Sequence, residues 1–151
     1  KIKGTKRHVA TDVLGLLLVV LVTAASVQDT VGGRSVVEQV AHRHPQVAVA
    51  WVDAGYKQSV IDTGAAHGID VLVVTKDPQQ RGFVPQRKRW AVEWTFGWLM
   101  LHRRLARDYE TNPQRSRAMI HWAMIDNMSR RLTGESTSSW REDMPEDPDI
   151  A

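Results

Sequence analysis

Cysteine is absent from the 151 residues, which excludes disulfides, thiolate zinc sites, iron–sulfur clusters and cysteine nucleophiles. Long hydrophobic runs are also lacking. The apolar stretch Leu14–Ala25 covers 12 residues, short of the roughly 20 that a membrane-spanning helix needs. With Lys1, Lys3, Lys6 and Arg7 before it and Ala24-Ala25-Ser26 at its end, that stretch imitates a secretory signal. Its Leu-Val-Val-Leu-Val centre is instead what a strand buried on both faces requires. No internal repeat is visible, and the first residue is Lys1 rather than methionine, so the start reads as mid-sequence. A 42% hydrophobic and 25% charged composition fits one ordinary soluble domain.

The net charge of +3 conceals an uneven distribution. Residues 135–151 hold six acids (Glu135, Glu142, Asp143, Glu146, Asp147, Asp149) against Arg141 alone, a local charge of −5. The rest of the chain therefore carries +8. The acidic end, with Pro145, Pro148 and few apolar residues, is expected to be a disordered tail following a basic folded part at 1–134. A basic folded part suits a polyanionic partner, although solubility alone also selects such a surface.

Along the chain, Lys6–Val13 and Leu16–Thr23 read as a hairpin whose turn has Asp12 first and Gly15 fourth. After a loop at Ser26–Gly33, Val36, Val37, Val40 and Ala41 recur at helical spacing, and that helix stops near His44-Pro45. Val47–Val52 and Asp70–Thr75 read as buried strands, separated by a helix over Lys57–Ala66 with Gly68 as its stop. The loop Lys76–Pro85 leads to a long helix from about Gln86 to Arg107. A last helix starts at Asn112-Pro113 and ends near Gly134. These elements predict an α/β fold, a mixed sheet with flanking helices.

Asp53 directly follows an apolar strand, the position outside a strand's carboxyl end where α/β sheets place ligand-binding groups. It would serve equally as the first residue of a turn with Gly55. Glu93 is the only acid between Arg81 and Arg107 among seven bases, and a continuous helix would set Arg89, Gly97 and Arg104 on its face. A local Arg89–Glu93 ion pair explains that spacing too. Two carboxylates with arginines around them suit a phosphodiester site, where hard Mg²⁺ needs oxygen ligands and the backbone needs cations. Asp12 is a third candidate ligand, with a turn role as its alternative. The histidines have no metal-ligand spacing, and His42 and His44 are expected to be exposed. Trp51, Tyr56, Met119, Met124 and Met128 read as core.

The series Lys6-Arg7-His8, Val22 through Asp29, Trp51-Val52-Asp53-Ala54-Gly55-Tyr56, Arg89-Trp90-Ala91-Val92-Glu93 and Arg103-Arg104-Leu105 through Glu110 resembles the C-terminal part of a DDE transposase of the IS5 insertion-sequence group. The resemblance covers most of residues 3–132. It implies an RNase H-like catalytic domain that cleaves and joins DNA ends at a two-Mg²⁺ site, in the bacterial cytoplasm at the nucleoid, as an oligomer on DNA. It also implies that Asp53 is the second catalytic aspartate, Glu93 the catalytic glutamate, and both metal ligands.

The family signature Tyr-x2-Arg-x3-Glu-x6-Lys keeps Arg89 and Glu93 but meets Gln86 at the tyrosine and Met100 at the lysine. Arg103 and Arg104 would replace that lysine, and with Arg89 they are the expected DNA-binding residues. Trp94 stands where many relatives have arginine. The family's first aspartate precedes the Lys-Arg-His segment, on a strand that would lie between Lys6–Val13 and Val47–Val52, and the chain begins after it. A fragment inactive alone is therefore expected, with a non-catalytic DNA-binding regulator or degenerate remnant as the alternative.

Overall fold

The computed structural model describes residues 4–56, 58–74 and 90–135. In chain order the elements are β1 (Thr5–Thr11), β2 (Leu17–Ala24), α1 (Asp29–Arg43), β3 (Val49–Asp53), α2 (Gln58–Ala66), β4 (Asp70–Val74), α3 (Trp90–Leu101) and α4 (Pro113–Thr133). The α/β class holds. The strands form two separate pairs, β1–β2 antiparallel and β3–β4 parallel, rather than the single mixed sheet expected from sequence. No pairing joins β1 to β3 among the described residues, so each retains one edge without ladder partners there.

The β1–β2 hairpin is buried on both faces because its side chains alternate. Val19 and Leu21 point to a core with Val36, Val37 and Val40 of α1, Val60 of α2, and Ile69 and Val71 at β4. Val20 and Val22 point the opposite way, to Leu99, Leu105 and Ile120, Ala123 and Met124 of α4. Full burial of each such side chain stabilises by about 1.5–3 kcal/mol, which explains the run of valines in β2. By contrast, among the described residues β3–β4 is covered on one face. Ala50 and Val52 join the α1–α2 core, while Val49, Trp51 and Leu72 remain 39%, 41% and 41% exposed. Trp51 is therefore not core, and neither is Met128, which lies on the outer side of α4.

The hairpin turn is built as its residues require. Asp12 Oδ1 accepts from Leu14 N at 2.9 Å and Leu16 N at 2.8 Å, and Gly15 takes φ 78°. This employs the Asp12 carboxylate in turn geometry. The same turn docks on α3, where the Thr95 hydroxyl donates to the Gly15 carbonyl. A Cβ at Gly15 would stand 2.9 Å from the Ala91 carbonyl oxygen and 3.0 Å from the Trp98 ring.

Helix α1 begins at Asp29, inside the stretch read as a loop. Gly32 and Gly33, which look like turn residues, lie within the helix and permit contact. A Cβ on Gly32 would be 2.4 Å from the His8 ring of β1, and one on Gly33 would be 2.4 Å from the Tyr56 ring beyond β3. At its other end, His44 is half-buried rather than exposed, with Nε2 3.3 Å from the Leu18 carbonyl oxygen.

Helix α4 matches its expected limits. Asn112 Oδ1 accepts from Gln114 N at 2.8 Å, Pro113 opens the helix, and Gly134 closes it at φ 74°. The preceding helix ends earlier than expected, at Leu101, and residues 102–108 turn. Groups of β1 bind this turn: Arg7 Nη1 donates to the Leu105 carbonyl at 3.1 Å, and Thr5 N and Oγ1 each donate to Asp108 Oδ2 at 2.9 Å. Among the described residues, no helix is long and apolar enough to cross a membrane.

Two predictions follow from the α1 contact. Gly32→Ala must displace a buried imidazole, and is expected to lower unfolding free energy by about 1–3 kcal/mol in denaturant titration. An unchanged midpoint would contradict the contact. Burial chiefly lowers the pKa of His8, opposed by Asp29 and assisted by Lys6; burial, Arg117 and Arg43 lower that of His121. Both folded values lie below the unfolded value of about 6.5, so the unfolded chain binds more protons as pH falls. Stability should be complete above about pH 6.5 and decline as pH falls through the lowered pKa values, with His8→Gln reducing the decline. An NMR titration placing His8 at or above 6.5 would contradict this.

Candidate active site

Asp53 is the last residue of β3, and its exposure follows from the strand's alternation, since Ala50 and Val52 face the core. Its Oδ1 accepts from Ala54 N at 3.2 Å, and the Tyr56 amide donates to the Asp53 carbonyl at 3.0 Å. The chain thus turns at once, and this turn delivers Tyr56 onto Gly33. Burial, with the negative charges of Asp29 and Asp53, raises the Tyr56 pKa, so its hydroxyl stays protonated at neutral pH. Asp53 thus starts a turn, and its carboxylate is solvent-accessible at a strand's carboxyl end.

Glu93 occupies the first turn of α3. Ala91, Thr95 and Leu99 define the buried stripe of that helix, and Glu93 lies on the opposite side, exposed. Near the N-terminus of the helix its carboxylate is favourably placed with respect to the macrodipole. No cation pairs with it among the described residues. One aromatic row flanks it: Trp90 and Trp94 meet edge to face with centroids 4.0 Å apart, and Arg131 of α4 lies 4.0 Å over the Trp98 ring.

The expected cation row along this helix changes. Because α3 ends at Leu101, Arg103 and Arg104 leave the helix face and stand exposed on the following turn. Arg104 Nε also binds Glu110 Oε1 at 2.7 Å. Arg89 lies outside the described residues, as do Lys57 and the acidic stretch beyond Glu135. Two cations of the motif series that have no site role from sequence, Arg7 and Arg107, line a depression of about 330 Å³ with Phe96, Met100 and Asp108. Their convergence depends on the turn after α3, which helical periodicity does not report.

The oxygen donors of Asp53 and Glu93 are the right chemistry for Mg²⁺. They do not make a complete cage, since no group of three His, Asp or Glu side chains that could hold a metal occurs among the described residues. Asp12, committed to its turn, does not complete one. His8 is buried, with Nε2 3.0 Å from Thr23 Oγ1, which leaves it no role at an exposed metal site.

Neither a curated protein nor a solved structure matches the sequence. The family model described as the transposase DDE domain matches residues 1–128, the span containing both carboxylates, and the chain belongs to this family.

Proposed function

We propose that this chain is the larger part of an RNase H-like catalytic domain, at residues 1–134, of an insertion-sequence transposase of the IS5 group. Its reaction is cleavage of DNA at the element's ends and joining of the freed strand to a target, with DNA the substrate and a homo-oligomer on paired ends the working form. The bacterial cytoplasm, at the nucleoid, is the compartment for that work. The observation that carries this reading is the family match over residues 1–128, together with two exposed carboxylates at the end of β3 and on the outer face of α3.

Asp53 and Glu93 would hold Mg²⁺, which when bound promotes a hydroxyl nucleophile and stabilises charge on the leaving oxygen at phosphorus. Glu93 stands on a helix fixed against the β1–β2 turn through Thr95 and Gly15, which restricts its carboxylate. Asp53 is held by the turn anchored through Tyr56 on Gly33. Such fixation matters because in-line displacement tolerates little misplacement of its ligands. The third carboxylate would come from an upstream strand, whose place is between the edges of β1 and β3. Arg89, Arg103 and Arg104 would hold DNA phosphates around the two carboxylates.

With an upstream segment carrying a strand-borne aspartate restored, Mg²⁺-dependent strand cleavage is expected, and residues 1–151 alone should be inactive. Asp53→Ala and Glu93→Ala should each reduce cleavage by roughly 10³-fold or more, the scale of losing a central catalytic group. Retained activity in either variant removes that residue from the mechanism.

The absence of a three-ligand cluster among the described residues favours a second reading, a non-catalytic DNA-binding remnant. That reading requires salt-sensitive DNA binding indifferent to Mg²⁺ and no cleavage even with the upstream strand present. The cleavage assay on the restored protein separates the two.

A further inference from the structure

The depression between β1 and α3 is a continuation of the surface that carries Glu93. Phe96 and Met100 follow Glu93 at i+3 and i+7, so they form one ridge on α3, about 4.5 and 10.5 Å along the helix from it. Both line the depression, with Arg7 from β1 and Leu105, Arg107 and Asp108 from the turn. The ridge supplies an apolar floor and the turn supplies charge at its margin.

The charges are arranged unequally. Arg7 is oriented by its bond to the Leu105 carbonyl at 3.1 Å. Asp108 directs Oδ2 to the backbone and hydroxyl of Thr5, at 2.9 Å each, and so is drawn toward the strand. Arg107 is exposed and makes no ion pair among the described residues. Among the described residues, two guanidiniums against one carboxylate leave the depression cationic, whereas the neighbouring Arg104 pairs with Glu110 at 2.7 Å.

We infer that this depression binds one nucleotide of the DNA strand next to the reacting phosphodiester, with Arg107 and Arg7 holding a phosphate and Phe96 and Met100 contacting its sugar or base. This rests on the proposed DNA-processing function and adds to it a binding subsite. It adds Arg7 and Arg107 to the phosphate-holding residues proposed beside α3. The planar guanidinium matches phosphate oxygens, and an apolar floor of Phe96 and Met100 reads no base edge, so the subsite would hold a strand without selecting its sequence.

The test is DNA binding by the full 151-residue chain, measured by fluorescence anisotropy across a salt series with a labelled duplex ending in a single-stranded overhang. Arg107→Gln should weaken binding about five- to tenfold near 0.1 M salt and make the salt slope less negative by about 0.7–0.9, the signature of one lost phosphate contact. Arg115→Gln removes the same charge from an exposed residue in the first turn of α4 outside the depression, and should change neither quantity. Arg107→Lys keeps a cation in the same depression and should retain most of the affinity and the unaltered salt slope. If Arg107→Gln binds as the unaltered chain does, if Arg115→Gln loses as much, or if Arg107→Lys loses as much as Arg107→Gln, the subsite is refuted while DNA binding stands. If the unaltered chain binds no DNA, the subsite and the DNA-processing reading fail together.

Discussion

The close approach of α1 to the strands is the constraint on which the rest of the arrangement depends. Two adjacent helical glycines allow the His8 ring to seat against one and the Tyr56 ring against the next. Glycine in a helix interior costs about 1 kcal/mol relative to alanine, and the packing it allows offsets that cost. His8 belongs to β1 and Tyr56 to the turn after β3, so this pair of contacts relates two sheets that share no ladder among the described residues. A shared apolar layer completes the link, since Val19 of β2 and Val71 of β4 lie in one core beneath α1 and α2.

From that core outward, each candidate functional group has its position set by something structural. The alternation of β3 buries Ala50 and Val52 and thereby turns Asp53 outward. On the other face of the hairpin, the tight fit of Gly15 under Ala91 and Trp98 holds α3 in place and leaves Glu93 on its free side. The turn after α3 is itself bound to β1 by Arg7 and Thr5. A strand segment thus organises both the inner packing and the charged margin of the α3 surface.

Features encoded by local chemistry were legible in the sequence. The hairpin, the Asn112-Pro113 start and Gly134 end of α4, the positive φ at Gly68, and both strands of the second pair lie within a residue or two of where periodicity and turn residues place them. Asp53 could be singled out from its place directly after an apolar strand, and Glu93 as the only acid among the bases of Arg81–Arg107. What could not be read depends on contacts distant in sequence. Gly32 and Gly33 look like loop residues until His8 and Tyr56 are seen against them. The end of α3 at Leu101 has no proline or glycine to announce it, and the turn is secured by partners some hundred positions away. Helical phase therefore placed Arg104 on the Glu93 face and gave no hint of Arg7 beside Arg107. Trp51 shows the converse error, a strand residue assigned to core because its neighbours are apolar, although it lies on the more exposed face of its sheet.

The central claim is that Asp53 and Glu93 act on the same divalent ion although they stand on different elements of the fold. Paramagnetic Mn²⁺, substituted for Mg²⁺ and added at low occupancy to isotopically labelled protein, broadens the amide signals nearest to it even when held weakly. The proposed site predicts that the amides of Ala54 and Gly55 and those of Val92 to Trp94 lose intensity together, and that Asp53→Asn or Glu93→Gln diminishes both sets. Broadening confined to one set, or centred on other carboxylates, would contradict it.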